Sequence, residues 1–185
     1  MDSDFPWGNR VKLRFSMQDP ATFNLVMRLP AWADGCTILL NGQETEVNVS
    51  SVLPGEPSAN GLDLFSARWM RLSRSFNSND EIELIFNMPI RLIKQDLRLP
   101  KCGGKYAVAR GPVVYCLESV DHSINIMSVK AVPESLQPFF DPNLLEGTWV
   151  IRGEDVNGSP LVFVPYMLWA NRGKSSMTVF VGVDS

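Results

Sequence analysis

"CTILLNGQETEVNV", residues 36–49, is the stretch on which the fold turns. Two extended runs flank Asn41-Gly42, and a two-residue type I′ turn needs positive φ at both central positions, which Asn and Gly tolerate best. The segment therefore predicts a β-hairpin. A period of two then recurs on either side of it. Upstream, "VKLRFSM" (11–17) sets Val11, Leu13, Phe15 and Met17 on one face against Lys12, Arg14 and Ser16 on the other, the pattern of a half-buried strand. "TFNLVMRL" (22–29) repeats it with Phe23, Leu25, Met27 and Leu29. "QDPA" between them reads as a turn, so the two runs are expected to pair antiparallel, and Pro30 ends the second by removing a ladder donor.

Downstream, "SVLPGEPSANG" (51–61) has no hydrophobic period and reads as a surface loop, after which "LDLFSARWMRLSRSF" resumes extended character. "SNDEIELIFNM" then turns and places Ile82, Leu84, Phe86 and Met88 at alternate positions. Beyond Pro89 the pattern starts again with "IRLIKQ", a Gly-rich turn "KCGGK", "YAVARGPVVYCLES", "IMSVKAVP", "TWVIRGED", "LVFVPYMLWA" and "SMTVFVGV", all read as strands. Only "ESLQPFFDPNLLEG" (134–147) suggests a short helix, and its two prolines argue against even that. Many short strands separated by turn signals predict an all-β chain with little helix, built as two consecutive antiparallel β-sandwich units of jelly-roll-like form. The boundary is expected between residues 88 and 104, giving a first sandwich over 1–90 and a second over 91–185.

The 185 residues are 45% hydrophobic, enough for two small cores, and carry a formal charge of −3. That charge, without a Lys/Arg stripe interleaved with aromatics, argues against a nucleic-acid partner, because phosphate binding needs a cationic surface. No apolar run reaches the length that crosses a bilayer, and "MDSDFPWGNR" has neither a basic nor an apolar leader segment, so a soluble chain with no membrane partner and no export signal is expected. Cys36, Cys102 and Cys116 are odd in number and match no zinc ribbon or redox pair; reduced thiols are the simplest expectation, with one disulfide left open. The triplets Asn48-Val49-Ser50 and Asn157-Gly158-Ser159 are too short a pattern to set a compartment.

Chemistry concentrates in "ARGPVVYCLESVDH" (109–122), which gathers Cys116, Glu118, Asp121 and the single histidine of the chain, His122. Cys with His and carboxylates suits a zinc site or an activated nucleophile. On a strand, however, Val114, Cys116 and Glu118 share one face and Val113, Tyr115 and Leu117 the other, so only two of the candidate ligands project together and no second histidine joins them. The residues thus predict no metal site and no catalytic residue, with Cys116 a small buried hydrophobe. Asp63, Asp80, Glu81, Glu118 and Asp121 are the carboxylates an independent enzyme would use, but their places at strand ends and turns read as solvated charge. In Asn171-Arg172-Gly173 a guanidinium is able to clamp a carboxylate; a turn held by Arg172 to nearby carbonyls is the preferred reading. Sugar binding by exposed indoles is weighed over Trp7, Trp32, Trp69, Trp149 and Trp169. Trp69 and Trp169 are expected in the core or at corners, leaving Trp7 and Trp32, beside prolines, as the carbohydrate-binding candidates.

Longer motifs carry a resemblance that periodicity does not supply. "DFPW", "MRLPAWADG", "ILLNGQ", "NDEIELIFNMPIRLI", "YAVARGPVVYCLESVD" and "VPYMLWANRG", in this order and over nearly the whole chain, resemble the C-terminal region of glycoside hydrolase family 127, the β-L-arabinofuranosidase family. The resemblance implies an (α/α)₆ catalytic barrel followed by β-sandwich domains, with a zinc-bound cysteine thiolate as nucleophile and a glutamate as acid/base, all on the barrel. The nucleophile motif, the zinc ligands and the substrate-binding histidines find no matching positions here, so zinc is expected only in a barrel that this sequence lacks, and no cofactor in the chain itself. The expected role is a non-catalytic accessory region, inactive alone, that supports the barrel. The expected partners are that barrel, a second copy of the chain through an apolar patch, and, under the alternative of a binding module, a carbohydrate.

Overall fold

The computed structural model describes residues 1–33, 35–50, 68–96, 98 and 103–184. The Ser/Pro/Gly-rich loop 51–61, Asp63, Cys102 and part of "KCGGK" lie outside them. The chain divides into two compact units, Met1–Met88 and Pro89–Ser185. Among the described residues the regular structure is strands and short 3₁₀ turns, as an all-β chain requires.

The first unit holds β1 (Asp2–Ser3), β2 (Arg10–Arg14), β3 (Ala21–Leu29), β4 (Cys36–Leu40), β5 (Gln43–Glu44), β6 (Asn48–Ser50), β7 (Arg68–Phe76) and β8 (Glu81–Phe86). They form a five-stranded sheet of order β1-β2-β8-β4-β5 and a three-stranded sheet of order β3-β7-β6. Ile38, Ile82, Leu84 and Phe86 from the first and Met27, Leu29, Met70 and Phe76 from the second share one buried core, which makes the unit a sandwich. The two upstream runs therefore do not pair, contrary to expectation: β2 lies against β8 and β3 against β7. Their apolar faces meet across the core instead, and the turn between them carries the chain from one sheet to the other.

The hairpin β4–β5 pairs Leu40 with Gln43 around Asn41 (φ 51°) and Gly42 (φ 79°), both in the left-handed region. Asn41 does more than tolerate that conformation. Its amide nitrogen donates to Asp80 Oδ1 at 2.7 Å and its carbonyl accepts the Glu81 N–H at 2.8 Å, tying the hairpin to the turn that precedes β8. Asp80, buried rather than solvated, is held below the usual carboxylate range chiefly by that Asn41 bond and then by the Asn77 N–H.

The second unit holds β9 (Ile90–Lys94), β10 (Tyr106–Arg110), β11 (Val113–Glu118), β12 (Lys130–Ala131), β13 (Gln137–Asp141), β14 (Thr148–Glu154), β15 (Pro160–Pro165), β16 (Met177–Thr178) and β17 (Phe180–Val183). They form a nine-stranded sheet of path β12-β17-β10-β11-β15-β14-β13, with β9 also on β10 and β16 also on β11. The hairpin β10–β11 turns at Gly111 (φ 55°) and Pro112 and then forks. Ala109 and Arg110 pair with β11 while Tyr106 and Ala107 pair with β17; Leu117 and Glu118 of β11 go on to pair with β16. A strand that changes partners along one edge bends its sheet, so layers are made from a single path.

β11 is buried on both faces. Cys116 packs with Val150 and Val164 on one, and Leu117 lies in register with Phe163, itself opposite Ile151, on the other. "ESLQPFFDPNLLEG", the stretch that suggested a helix, supplies β13, whose Phe139 and Phe140 pair with Val150 and Trp149. "LVFVPYMLWA" is strand only as far as Pro165; Tyr166–Leu168 is a 3₁₀ turn.

Candidate functional site

β11 delivers Glu118 at its C-terminal end, the 3₁₀ turn Ser119–Asp121 follows at once, and His122 caps that turn. Across from them comes Arg172, more than fifty positions later in the chain. Its Nη1 donates to Asp121 Oδ1 at 2.5 Å, and its Nη2 donates both to Asp121 Oδ2 at 2.7 Å and to Glu118 Oε2 at 2.5 Å. The remaining Glu118 oxygen, Oε1, accepts the Ala170 N–H at 3.0 Å. Glu118 is fully buried, so its charge is tolerable only because both oxygens are occupied. The guanidinium is held well above its already high ordinary value, first by the Asp121 bond against the cost of burial, then by Glu118.

His122 is spoken for at both nitrogens. The Val162 N–H donates to Nε2 at 3.1 Å, which makes Nε2 the unprotonated nitrogen; Nδ1 then carries the hydrogen and donates to the Glu118 carbonyl at 2.6 Å. Cys116, one pleat behind Glu118, is fully buried, and burial, with the Glu118 charge adding to it, pushes its thiol up to about 12. A catalytic thiol needs the opposite surroundings, exposed and electropositive.

These donors do not fit zinc. The imidazole has no free lone pair, both carboxylates face a guanidinium, and the thiol is held protonated. Among the described residues no group of three or more His, Cys, Asp and Glu is arranged to hold a metal ion. Both carboxylates grip the same Arg172 nitrogen, Nη2, at 2.5 and 2.7 Å, so the guanidinium fills the space between them in which a glycosidase pair would hold the scissile bond. The cluster is a clamp. It fastens the segment after β15 to the end of β11, and Ser119, Ser175 and Ser176 reinforce it through the Ser119 N–H to the Ser176 carbonyl at 2.9 Å, the Ser176 N–H to Ser119 Oγ at 2.9 Å and the Val120 N–H to Ser175 Oγ at 3.2 Å.

Sequence reading placed Glu118, Asp121 and Arg172 near solvent or against carbonyls; the structure brings the three together as a carboxylate clamp. Glu81 stays at the surface, bound by Lys12 Nζ at 3.1 Å and Arg14 Nε at 2.8 Å. Of the tryptophans, Trp7 is half-buried, and Trp32 is half-buried with ring centroids 5.8 Å from Phe5 and 5.5 Å from Phe86. Trp69 is half-buried on β7, and Trp149 lies under the Arg110 guanidinium, 5.4 Å from the ring centre. Trp169, expected in the core or at a corner, is exposed together with Tyr166 and Met167. Sequence reading missed that trio because it extended the strand through "VPYMLWA"; Pro165, after which the run stops alternating, was the available signal.

The fold is one of consecutive β units, and the Cys/His/carboxylate cluster found among the described residues is internally satisfied. Residues 1–88 match the "Beta-L-arabinofuranosidase, GH127 middle domain" and residues 90–182 the "Glycoside hydrolase family 127 C-terminal domain". The chain belongs to glycoside hydrolase family 127. A non-reducing end β-L-arabinofuranosidase of Bifidobacterium longum subsp. longum is 27% identical over 207 residues, covering 96% of this chain and 29% of that protein. The crystal structure of a family 127 β-L-arabinofuranosidase from Geobacillus stearothermophilus T6 superposes with a TM-score of 0.81 at 28% identity, over 99% of this chain and 30% of that one. A second structure, described as a glycoside hydrolase, shares the fold at a TM-score of 0.79 and 24% identity, with 100% and 32% covered. The chain thus spans about 30% of the length of the relatives it matches.

Proposed function

We propose that this chain is the non-catalytic β-sandwich region of a glycoside hydrolase similar to the β-L-arabinofuranosidases, and that it buttresses a catalytic barrel carrying the zinc, the thiolate nucleophile and the acid/base. The observation that carries this reading is the clamp. The cluster that unites cysteine, histidine and carboxylates has its imidazole and carboxylates committed to partners inside the chain and its thiol buried and protonated, so it has nothing to offer a substrate. The coverage of its relatives supports the same reading, since more than two thirds of each lies outside the matched region.

The test is release of arabinose from a chromogenic β-L-arabinofuranoside by the purified 185-residue chain, with and without added zinc, on a sample shown to be folded by circular dichroism. No release above the buffer rate is expected in either condition. Turnover that rises with chain concentration would overturn the proposal and return Cys116 and His122 to consideration as reacting groups.

A further inference from the structure

One sheet face of the first unit is built from side chains that its own stability does not account for. β3 and β7 pair over their whole length, from Ala21 with Phe76 to Leu29 with Arg68. Alternation sends Leu25, Met27, Leu29, Met70, Leu72 and Phe76 into the sandwich core and the residues between them outward. On the outer face Arg28 therefore stands opposite Trp69, Val26 opposite Arg71, and Asn24 opposite Ser73. Trp69, half-buried, belongs to this outer face and not to the core. The face runs about 14 Å along the strands, the reach of a short oligosaccharide.

Its charges are left unanswered. On the other sheet of the same unit each outward cation of β2 has a carboxylate: Arg10 meets Glu83 at 2.8 Å, Lys12 meets Glu81 at 3.1 Å and Arg14 meets Glu81 at 2.8 Å. β3 and β7 carry no acid at all. Among the described residues Arg28 and Arg71 meet no carboxylate, and no aromatic ring or guanidinium lies over the Trp69 indole. Arg28 and Arg71 are diagonal neighbours across the strand pair, so the sheet brings two like charges together beside an indole.

Unpaired guanidiniums select an anion, and an indole selects a ligand with a flat apolar side. A sugar acid has both. Its carboxylate matches the guanidinium fork through two parallel N–H bonds, and the C–H face of its ring stacks on the indole. Asn24 adds a group for hydroxyls: Ser73 Oγ donates to its Oδ1 at 2.5 Å, which leaves its amide nitrogen free to donate. Nucleic acid suits this face less, because two arginines on a chain of charge −3 make no cationic stripe. We propose that Arg28, Trp69, Arg71 and Asn24 form a binding face for an acidic oligosaccharide, one whose sugar rings carry carboxylates. Such binding asks nothing of a catalytic barrel, so it goes beyond the accessory reading and fails or stands apart from it.

Isothermal titration of the 185-residue chain with tetragalacturonate tests this, with the fully methyl-esterified tetramer as the same sugar without charge. Saturable binding of the acid is expected, with binding of the ester weaker by about tenfold or more. The double variant Arg28→Gln with Arg71→Gln, shown to be folded by circular dichroism, is expected to lose affinity for the acid to a similar degree. The indole N–H resonance of Trp69, assigned through Trp69→Phe, is expected to shift on titration while that of Trp149 stays in place. Absence of binding, equal binding of acid and ester, or unchanged binding by the arginine variant would overturn the proposal. Equal affinity for polyglutamate or single-stranded DNA of the same charge would reduce the face to an unspecific cationic patch and overturn it too.

Discussion

Cys116 shows how one side chain's surroundings settle its chemistry. It sits between Val150 and Val164 with no exposed surface, and burial first, then the neighbouring Glu118 charge, moves its thiol from an ordinary value near 9 to about 12. The folded chain therefore keeps a proton between pH 9 and 12 that the unfolded chain releases, and stability must fall as pH rises through that window, by at most about 1.4 kcal/mol per pH unit for one group. Below pH 9 both states hold the proton and the contribution is complete. Cys116→Ala removes this linkage. The unfolding free energy of the variant, measured by urea titration at half-unit steps, is expected to decline less steeply than the parent's between pH 9 and 12. Cys36, whose thiol burial pushes up to about 11, contributes equally to both curves. Parallel curves would mean that the Cys116 thiol is not held protonated.

Between elements, the deciding contacts are those that link positions distant in sequence. Removing Arg172 leaves the buried Glu118 and the largely buried Asp121 with unanswered charges, so Arg172→Met is expected to cost about 3–5 kcal/mol, whereas the triple variant that adds Glu118→Gln and Asp121→Asn, which buries no charge, should recover most of the loss. Urea midpoints of the two variants check this; equal midpoints would show that the ion pairs are not what fastens the segment after β15. The same distinction explains what the sequence made legible. The β4–β5 hairpin was readable because Asn41-Gly42 is a local instruction, and the strands β3, β8 and β14 because alternation is local too. Which strands pair is not local. β2 and β3 follow each other with matching apolar faces, and nothing in either says that they face each other across a core rather than lie side by side. β13 was obscured by Pro138 and Pro142, which discourage a strand as much as a helix, and its edge position makes a missing donor tolerable. The clamp was half visible: Glu118 and Asp121 were singled out, and Arg172 was noticed as a cation able to grip a carboxylate, but their meeting depends on the forked path of β10 and β11. That β11 is covered on both faces also reversed the expectation that Glu118 would be solvated.

For the whole chain, the strand pairings and the described cores fall into two separate sets. Among the described residues, every strand pairing of β1 to β8 stays within Met1–Met88 and every pairing of β9 to β17 within Pro89–Ser185. The aromatic cluster of the first unit, with the Phe23 and Phe76 centroids 4.6 Å apart, and the Cys116–Val150–Val164 core of the second draw on no residue of the other unit. A unit of this size buries about 60% of the surface its unfolded chain exposes, enough for marginal stability without a disulfide or metal. Residues 1–88 and 89–185 produced separately are therefore each expected to unfold in a cooperative transition, and the 185-residue chain to unfold in two transitions at the midpoints of its separate parts. Differential scanning calorimetry of the three proteins decides the matter. A single transition of the whole chain well above both parts, or a part that shows no transition while the whole chain does, would mean that one core is completed only in the presence of the other.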